Sequence, residues 1–158
     1  MAIREAINRC LIEVFRVSRI PIDPTGTVCQ GDLMVWDDTH KLAVLATAAS
    51  AGSFMGMSET TNPIETIGSH QFIADPTSPR INLIQKGLVE LILGESVTVK
   101  PYDKVTVGAN AQTVVVSGAT AQNMVGYIDP SYGAAGKAVT SGTLVKVWLL
   151  PQTGMALA

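Results

Sequence analysis

The residues in this chain that could do chemistry are few, and most of them fall in predicted turns. The segment Asp37-Asp38-Thr39-His40 places two carboxylates beside an imidazole, a combination suited to a metal ion or to acid–base catalysis. The same composition is typical of a solvated hairpin loop, because aspartate bonds back to its own backbone. The other histidine, His70, lies in a distant stretch, where we interpret it as a surface hydrogen-bonding group. The segment therefore predicts a hairpin loop.

Other signatures of catalysis are missing from the sequence. It contains no G-x-S-x-G elbow, no P-loop and no H-E-x-x-H pair. Cys10 and Cys29 have neither C-x-x-C spacing nor a nearby histidine, so we expect reduced, buried or half-buried thiols. The carboxylates of predicted turns and loops are explained by hydration: Glu59, Glu65, Asp75 and Asp129. The sequence predicts a non-enzymatic protein without a metal or cofactor.

Composition predicts one domain with a partly covered surface. A chain of 158 residues is long enough for a single core that needs no metal or disulfide. Charged residues make up 15% of the chain, against about 25% in an average soluble domain, which suggests that neighbours hide part of the surface. The net charge of -2 gives no basic surface for nucleic acid. Charges near the N-terminus interrupt any signal peptide or membrane span, so we expect folding in a cytosol.

Short runs of β-branched residues between Gly, Asn and Pro predict an all-β fold, a small β-barrel or tulip-like body. The predicted strands are residues 33–36, 42–45, 54–57, 81–93, 97–100, 105–107, 114–116 and 143–150, with a further strand that ends at Gly126-Tyr127. We expect Gly56 to permit a close backbone approach and Gly87 to mark a bulge or bend.

One arrangement of turns and strands occurs twice. Placing Asp32 on Asp103 aligns Val44 with Val115 and, with one gap, Gly56 with Gly126. A further strand follows each copy, at residues 88–93 and 144–149. The pattern predicts two similar β-units in one body, although shared turn chemistry would also explain it.

The ends of the chain and one long loop fall outside this pattern. We divide the chain into an N-terminal arm and linker (1–26), a β-body (27–151) with a contact loop (58–80), and a tail (152–158). Apolar residues at three- and four-residue steps predict an amphipathic helix over 2–19, although 14–17 alternates as a strand would. Such an arm packs on its own body or reaches onto a neighbouring subunit. The expected capsid or inter-subunit contact residues are Ile3, Arg4, Ile7, Arg9, Leu11, Val14, Phe15, Arg16, Ile64, Ile67 and Phe72.

The order of the short motifs resembles that of the capsid decoration, or cement, proteins of tailed bacteriophages. The motifs are Gly31-Asp32, Phe54-Met55-Gly56, Gly87-Leu88-Val89, Asp103-Lys104-Val105, Val125-Gly126 and the last strand, 142–147. The resemblance covers residues 27–150. Two features depart from it, namely Tyr102-Asp103 in place of Gly-Asp and a longer loop at 58–80.

This resemblance implies a homotrimer on the outer surface of a virion capsid, assembled in the host cytoplasm, that bridges major capsid subunits and stabilises the head. It implies no direct nucleic acid or membrane partner. One alternative is a carbohydrate- or receptor-binding β-module, which needs exposed aromatic side chains from Trp36, Trp148, Tyr127 or Tyr132. Another is a different virion structural protein from the head-completion or tail apparatus.

Overall fold

The protein is all-β, as the sequence predicts. The computed structural model describes residues 8–24, 27–59, 66–67, 70–71 and 79–151. Its strands are β1 (Arg9–Pro21), β2 (Leu33–Asp37), β3 (Leu42–Leu45), β4 (Phe54–Ser58), β5 (Thr66–Ile67), β6 (His70–Gln71), β7 (Arg80–Leu93), β8 (Val97–Val99), β9 (Lys104–Val107), β10 (Thr113–Val115), β11 (Gly126–Ile128), β12 (Lys137–Val139) and β13 (Leu144–Leu149). Two short 3₁₀ helices cover Ala48–Ser53 and Pro130–Tyr132. Within these ranges no helix is long and apolar enough to cross a membrane.

Five strands form a closed barrel. Their order is β10-β9-β11-β13-β7, and β10 closes the ring by pairing in parallel with the end of β7. The other pairs in the ring are antiparallel. Alternation along β13 buries Val145, Val147 and Leu149 inside the barrel and turns Lys146 and Trp148 outward. This ring is called the closed barrel below.

The remaining long strands form a second unit with the same order. In it β3 pairs with β2, β2 with β4, β4 with the first half of β7, and β7 with β1. Ile22, just after β1, makes a parallel bridge to Ala43 in β3. We call this the barrel-like unit. The long strand β7 therefore belongs to both units.

The strand pairing confirms the internal duplication. Met34 lies opposite Gly56, and Val105 lies opposite Gly126. Val35 lies opposite Val44, and Thr106 lies opposite Val115. Each residue of β2 and β3 thus matches one 71 positions later, and the shift is 70 after the predicted gap. By the same shift β1 is equivalent to β7.

The turns that precede β2 and β9 are built alike. The Asp32 carboxylate accepts the backbone N–H of Cys29 at 2.8 Å, and the Asp103 carboxylate accepts that of Lys100 at 2.8 Å. The residue before each aspartate has positive φ, 89° at Gly31 and 65° at Tyr102. Tyrosine in this conformation is unusual. The predicted departure from Gly-Asp thus changes the side chain while the backbone keeps its path.

The two interiors are also equivalent. The smaller core contains seven buried residues: Ile22, Val28, Met34, Ala43, Met55, Ile81 and Leu83. Their equivalents all lie in the larger core: Leu93, Val99, Val105, Val114, Val125, Val145 and Val147. In the last strand the shift is 64 positions. One hydrophobic pattern therefore lines both units.

Several predictions of local structure are wrong. From Arg9 onward the predicted helix is instead the strand β1 (Arg9–Pro21), because pairing with β7 overrides the helical spacing and its β-branched residues suit a strand. Residues 2–7 of that prediction lie outside the described residues. The returning strand of the first copy was predicted at 88–93. In the structure, β4 pairs instead with the earlier part of β7, at Leu83 and Ile84. Residues 48–53 form a 3₁₀ helix, and β12 (Lys137–Val139) is a strand that the sequence analysis did not predict.

Candidate interaction surface

The segment Asp37 to His40 is an exposed hairpin turn, as predicted. His40 Nδ1 lies 2.7 Å from Asp37 Oδ2, and Lys41 donates to Asp38 at 2.6 Å. The hydrogen bond from His40 holds the pKa of Asp37 below its usual range. Because these contacts are local and open to water, they explain the charged residues as turn chemistry.

The part of the chain described here contains no group of three or more His, Cys, Asp and Glu side chains arranged to hold a metal. The thiols of Cys10 and Cys29 are free, half-buried and buried respectively, as predicted. Burial, with the nearby Glu13 and Glu59 charges, raises the pKa of the Cys10 thiol. The raised pKa disfavours the reactive thiolate at Cys10, and Cys29 is buried away from solvent.

Two acidic residues have structural roles that the sequence did not predict. Asp129, expected to be hydrated, is buried and accepts from Trp148 Nε1 at 2.7 Å and from the Ser131 N–H at 2.8 Å. Glu95 accepts the Val116 N–H at 2.6 Å and the Ser117 hydroxyl at 2.6 Å. Burial alone would raise the pKa of each carboxyl, but these hydrogen bonds outweigh it and hold each pKa below its usual range.

The unusual surface of the molecule lies on β1. Its N-terminal half exposes four large apolar side chains, with Leu11 40%, Ile12 49%, Phe15 46% and Val14 61% exposed. Single exposed apolar residues are ordinary, but four in five consecutive positions form a patch that usually marks an interaction site. We call these four residues the β1 patch.

Both ends of β1 are anchored. Asn8, which is 2% exposed, donates to the carbonyls of Gly31 and Gln112 at 3.0 and 2.8 Å and accepts the Ile92 N–H at 3.0 Å. At the other end Ile22 bridges to β3 and donates to the Pro79 carbonyl at 3.1 Å. The β1 patch is therefore held on a fixed strand between two tethers.

Two of the three arginines of β1, Arg9 and Arg16, form ion pairs with carboxylates of the same chain. Arg9 pairs with Glu90 at 2.9 Å. Arg16 pairs with Glu59 at 2.5 Å and with Glu13 at 3.5 Å. The hydrogen bond and charge of Glu59 raise the pKa of Arg16. The β1 patch is thus an apolar surface bordered by ion pairs.

An apolar row continues from β1 across the outside of the closed barrel. Ile12 lies opposite Leu88, Leu88 opposite Trp148, and Trp148 opposite Tyr127. Paired residues in a sheet share a face, so these side chains form one line over four strands. Beside it runs a charged line in which Glu90 lies opposite both Lys146 and Arg9. The Glu90 side chain is only 15% exposed and forms its ion pair with Arg9 on this line.

The predicted contact residues divide into three groups. Arg9, Leu11, Val14, Phe15 and Arg16 all lie on β1, where the structure brings them together. Ile67 lies in β5, whose backbone pairs Ile67 with His70 in β6. Both residues fall within the predicted contact loop (58–80), so this part of the loop is a pair of short strands. Outside the described residues lie Ile3, Arg4, Ile7, Ile64 and Phe72.

The sequence analysis missed Ile12 and the apolar row. The helical interpretation put Ile12 off the apolar stripe, whereas a strand with bulges exposes it beside Leu11. The sequence did place Lys146 and Trp148 together on the face of the last strand opposite Val145, Val147 and Leu149. Only the strand pairing shows which residues of neighbouring strands continue the apolar row.

Four aromatic residues were expected to decide whether the chain binds a carbohydrate. Trp36 packs on the smaller core, and Tyr132 packs on the larger one with its hydroxyl accepting the Lys146 N–H at 2.9 Å. Tyr127 and Trp148 are half-buried on the outer face. The Tyr102 ring, 65% exposed, lies 5.7 Å from that of Tyr127.

Comparison with known proteins adds no relationship, since no family model and no curated protein sequence matches the chain.

Proposed function

We propose that this chain is a capsid decoration, or cement, protein of a tailed bacteriophage. It binds the outer surface of the head and bridges neighbouring major capsid subunits. The observation that carries the proposal is the β1 patch, in which Leu11, Ile12, Val14 and Phe15 are exposed on a strand tethered at both ends. A patch of this kind on a small all-β protein favours a role in protein–protein contact.

The rest of the molecule supports a binding role. Two fused units that share β7 make a stiff body, which limits the ordering entropy lost when β1 binds a partner. The motif order of residues 27–150, which resembles that of decoration proteins, favours a homotrimer. A trimer that contacts several shell subunits at once gains from effective concentration, so modest individual contacts add up to firm attachment. The proposal needs no catalytic step, cofactor, nucleic acid or membrane.

The test uses heads of the phage that encodes this chain, prepared without it. Purified protein is added to the heads, and the bound fraction is measured by sedimentation. We expect binding that saturates at a fixed number of copies on the outer surface. Removal of residues 2–19 would also uncover β7, so Val14→Lys is the better variant, and we expect it to weaken binding.

The matched control is Leu45→Lys, because Leu45 is a similarly exposed apolar residue at 37%, on β3. It should bind heads as the unmodified chain does. Absence of binding to heads would contradict the proposal. Particle imaging that places the chain at the portal or in the tail would instead identify a head-completion or tail component.

A second candidate is a carbohydrate- or receptor-binding module. The observation that favours it is the outer aromatic group of Tyr102, Tyr127 and Trp148, where aromatic rings present an apolar face beside polar groups. Binding on a glycan array that is lost in Tyr102→Ala and kept in Val14→Lys would support this function over capsid binding.

A further inference from the structure

We infer that β1 is a self-association strand, through which two copies of this chain pair β1 with β1 in antiparallel orientation. The inference holds whether or not the chain binds a capsid. At about 3.3 Å per residue, the 13 residues of β1 span about 40 Å. One edge of β1 pairs with β7, and among the described strands none pairs with the other edge before the bridge at Ile22. An open edge of this length is a template for another strand.

The chain itself shows what covers an edge of this kind. In β7, Ile92 has Leu144 of β13 on one side and Thr113 of β10 on the other. Just before Ile92, the β10 side of β7 is occupied by β1, since Val89 pairs with both Val147 and Cys10.

The equivalent edge of β1 is the one left open. Ile22, the equivalent of Leu93, has Pro79 on one side and Ala43 of β3 on the other. β3 is the equivalent of β10. On the edge of β1 that faces β3, no described strand pairs with the residues before Ile22. In β7 the equivalent edge is covered by β1, which pairs antiparallel and is itself the structural equivalent of β7. A second copy of the chain can cover the open edge of β1 in the same way, with its own β1.

Charge fixes the register of the pairing. If the two-fold axis passes between Val14 and Phe15, Glu13 of each copy lies opposite Arg16 of the other. In a regular strand residues 13 and 16 point to opposite faces, but β1 has irregularities between Glu13 and Phe15 and between Phe15 and Arg16. The Glu13–Arg16 ion pair at 3.5 Å places both side chains on one face. The contact therefore gathers two carboxylates and two guanidinium groups around the axis.

A two-fold contact implies an even number of copies. It gives a dimer, or a hexamer if three-fold contacts form as well. Val14 of one copy and Phe15 of the other lie side by side across the axis. The pairing covers the open backbone edge of β1 and leaves the faces of the β1 patch accessible to a further partner.

The test exploits the two-fold symmetry of the charges. Glu13→Arg sets arginine against arginine, and Arg16→Glu sets glutamate against glutamate, so each variant alone should lose at least about tenfold in self-association. In an equimolar mixture every contact again joins opposite charges, so association should return as a mixed dimer. Light scattering measures the mass at micromolar concentration, and circular dichroism confirms that each variant is folded.

The unmodified chain should have twice or six times the mass of a single chain, 16.6 kDa. A monomer or a trimer would overturn the inference, and a trimer would leave the proposed decoration function standing. So would a dimer that persists in both single variants, or a mixture that associates no better than its components. Mixing does not restore the Glu13–Arg16 ion pair within either chain. Rescue in the mixture must therefore come from contacts between the two variants.

Discussion

Strands β1 and β7 are structural equivalents with opposite surroundings. β7 is paired on both edges and buries Leu83, Val89, Leu91 and Leu93 completely. β1 has the same place in its repeat but pairs on one edge and exposes the β1 patch. Among the described strands, β1 and β4 cover β7 on its two edges, and none covers the second edge of β1 before Ile22. The same strand is a core element in one setting and a contact element in the other.

The largest expected effect compares equivalent residues of the two strands. Leu83, which is fully buried, is equivalent to Ile12, which is 49% exposed. Leu83→Ala should lower the free energy of unfolding by about 2–5 kcal/mol, because it leaves a cavity in a packed interior. Ile12→Ala should cost less than about 1 kcal/mol in dilute solution. Urea denaturation of both variants measures the contrast, and equal losses would show that β1 is as buried as β7.

A smaller effect separates the two equivalent turns. In Gly31→Ala the new Cβ would lie 2.6 Å from Asn8 Cβ at a φ of 89°, so we expect a loss of about 2 kcal/mol. In Tyr102→Ala the residue at positive φ still carries a Cβ, so the backbone strain is unchanged and only the ring contact with Tyr127 is lost. We expect the free energy of unfolding to fall by about 1 kcal/mol. Thermal unfolding measures both. A larger loss at Tyr102 would mean that the anchoring of β1 by Asn8 contributes little.

The smallest effect is a pH dependence that belongs to the second repeat. The pKa values of Asp129 and Glu95 are lowered in the folded protein, so their stabilising effect is complete above the ordinary carboxyl pKa, about 4, and is lost as the pH falls through the lowered values. Asp129→Asn and Glu95→Gln should therefore flatten the fall in stability at acid pH. Asp37 also has a lowered pKa, but its pairing with His40 is open to solvent and should weaken in salt. An unchanged acid profile in the Asp129 and Glu95 variants would exclude these carboxylates as its cause.

The sequence predicts much of this fold because the local signals agree. Turn residues and β-branched runs mark most strands within a residue or two, and Asp32 and Asp103 identify the repeat. The signals fail where long-range pairing decides. The spacing of Leu11 and Val14 fits a helix, and only the presence of β7 alongside makes β1 a strand. Trp148 and Ile12 belong to one surface line only because β7 lies between their strands, and no local pattern records that.

The candidate surface was predicted in part for a similar reason. The sequence pointed to Leu11, Val14 and Phe15 because apolar residues outside a predicted β-body need a surface to cover. It could not assign partners to Arg9 and Arg16, whose carboxylates come from distant positions, Glu90 and Glu59.

Amide hydrogen exchange at increasing protein concentration tests the central claim most directly. The claim is that β1 is a contact strand whose open edge is covered by another chain. We predict that exchange of the β1 amides slows as concentration rises, while the amides of β7, already paired on both edges, exchange at a constant rate. Exchange of β1 that is independent of concentration would contradict the account.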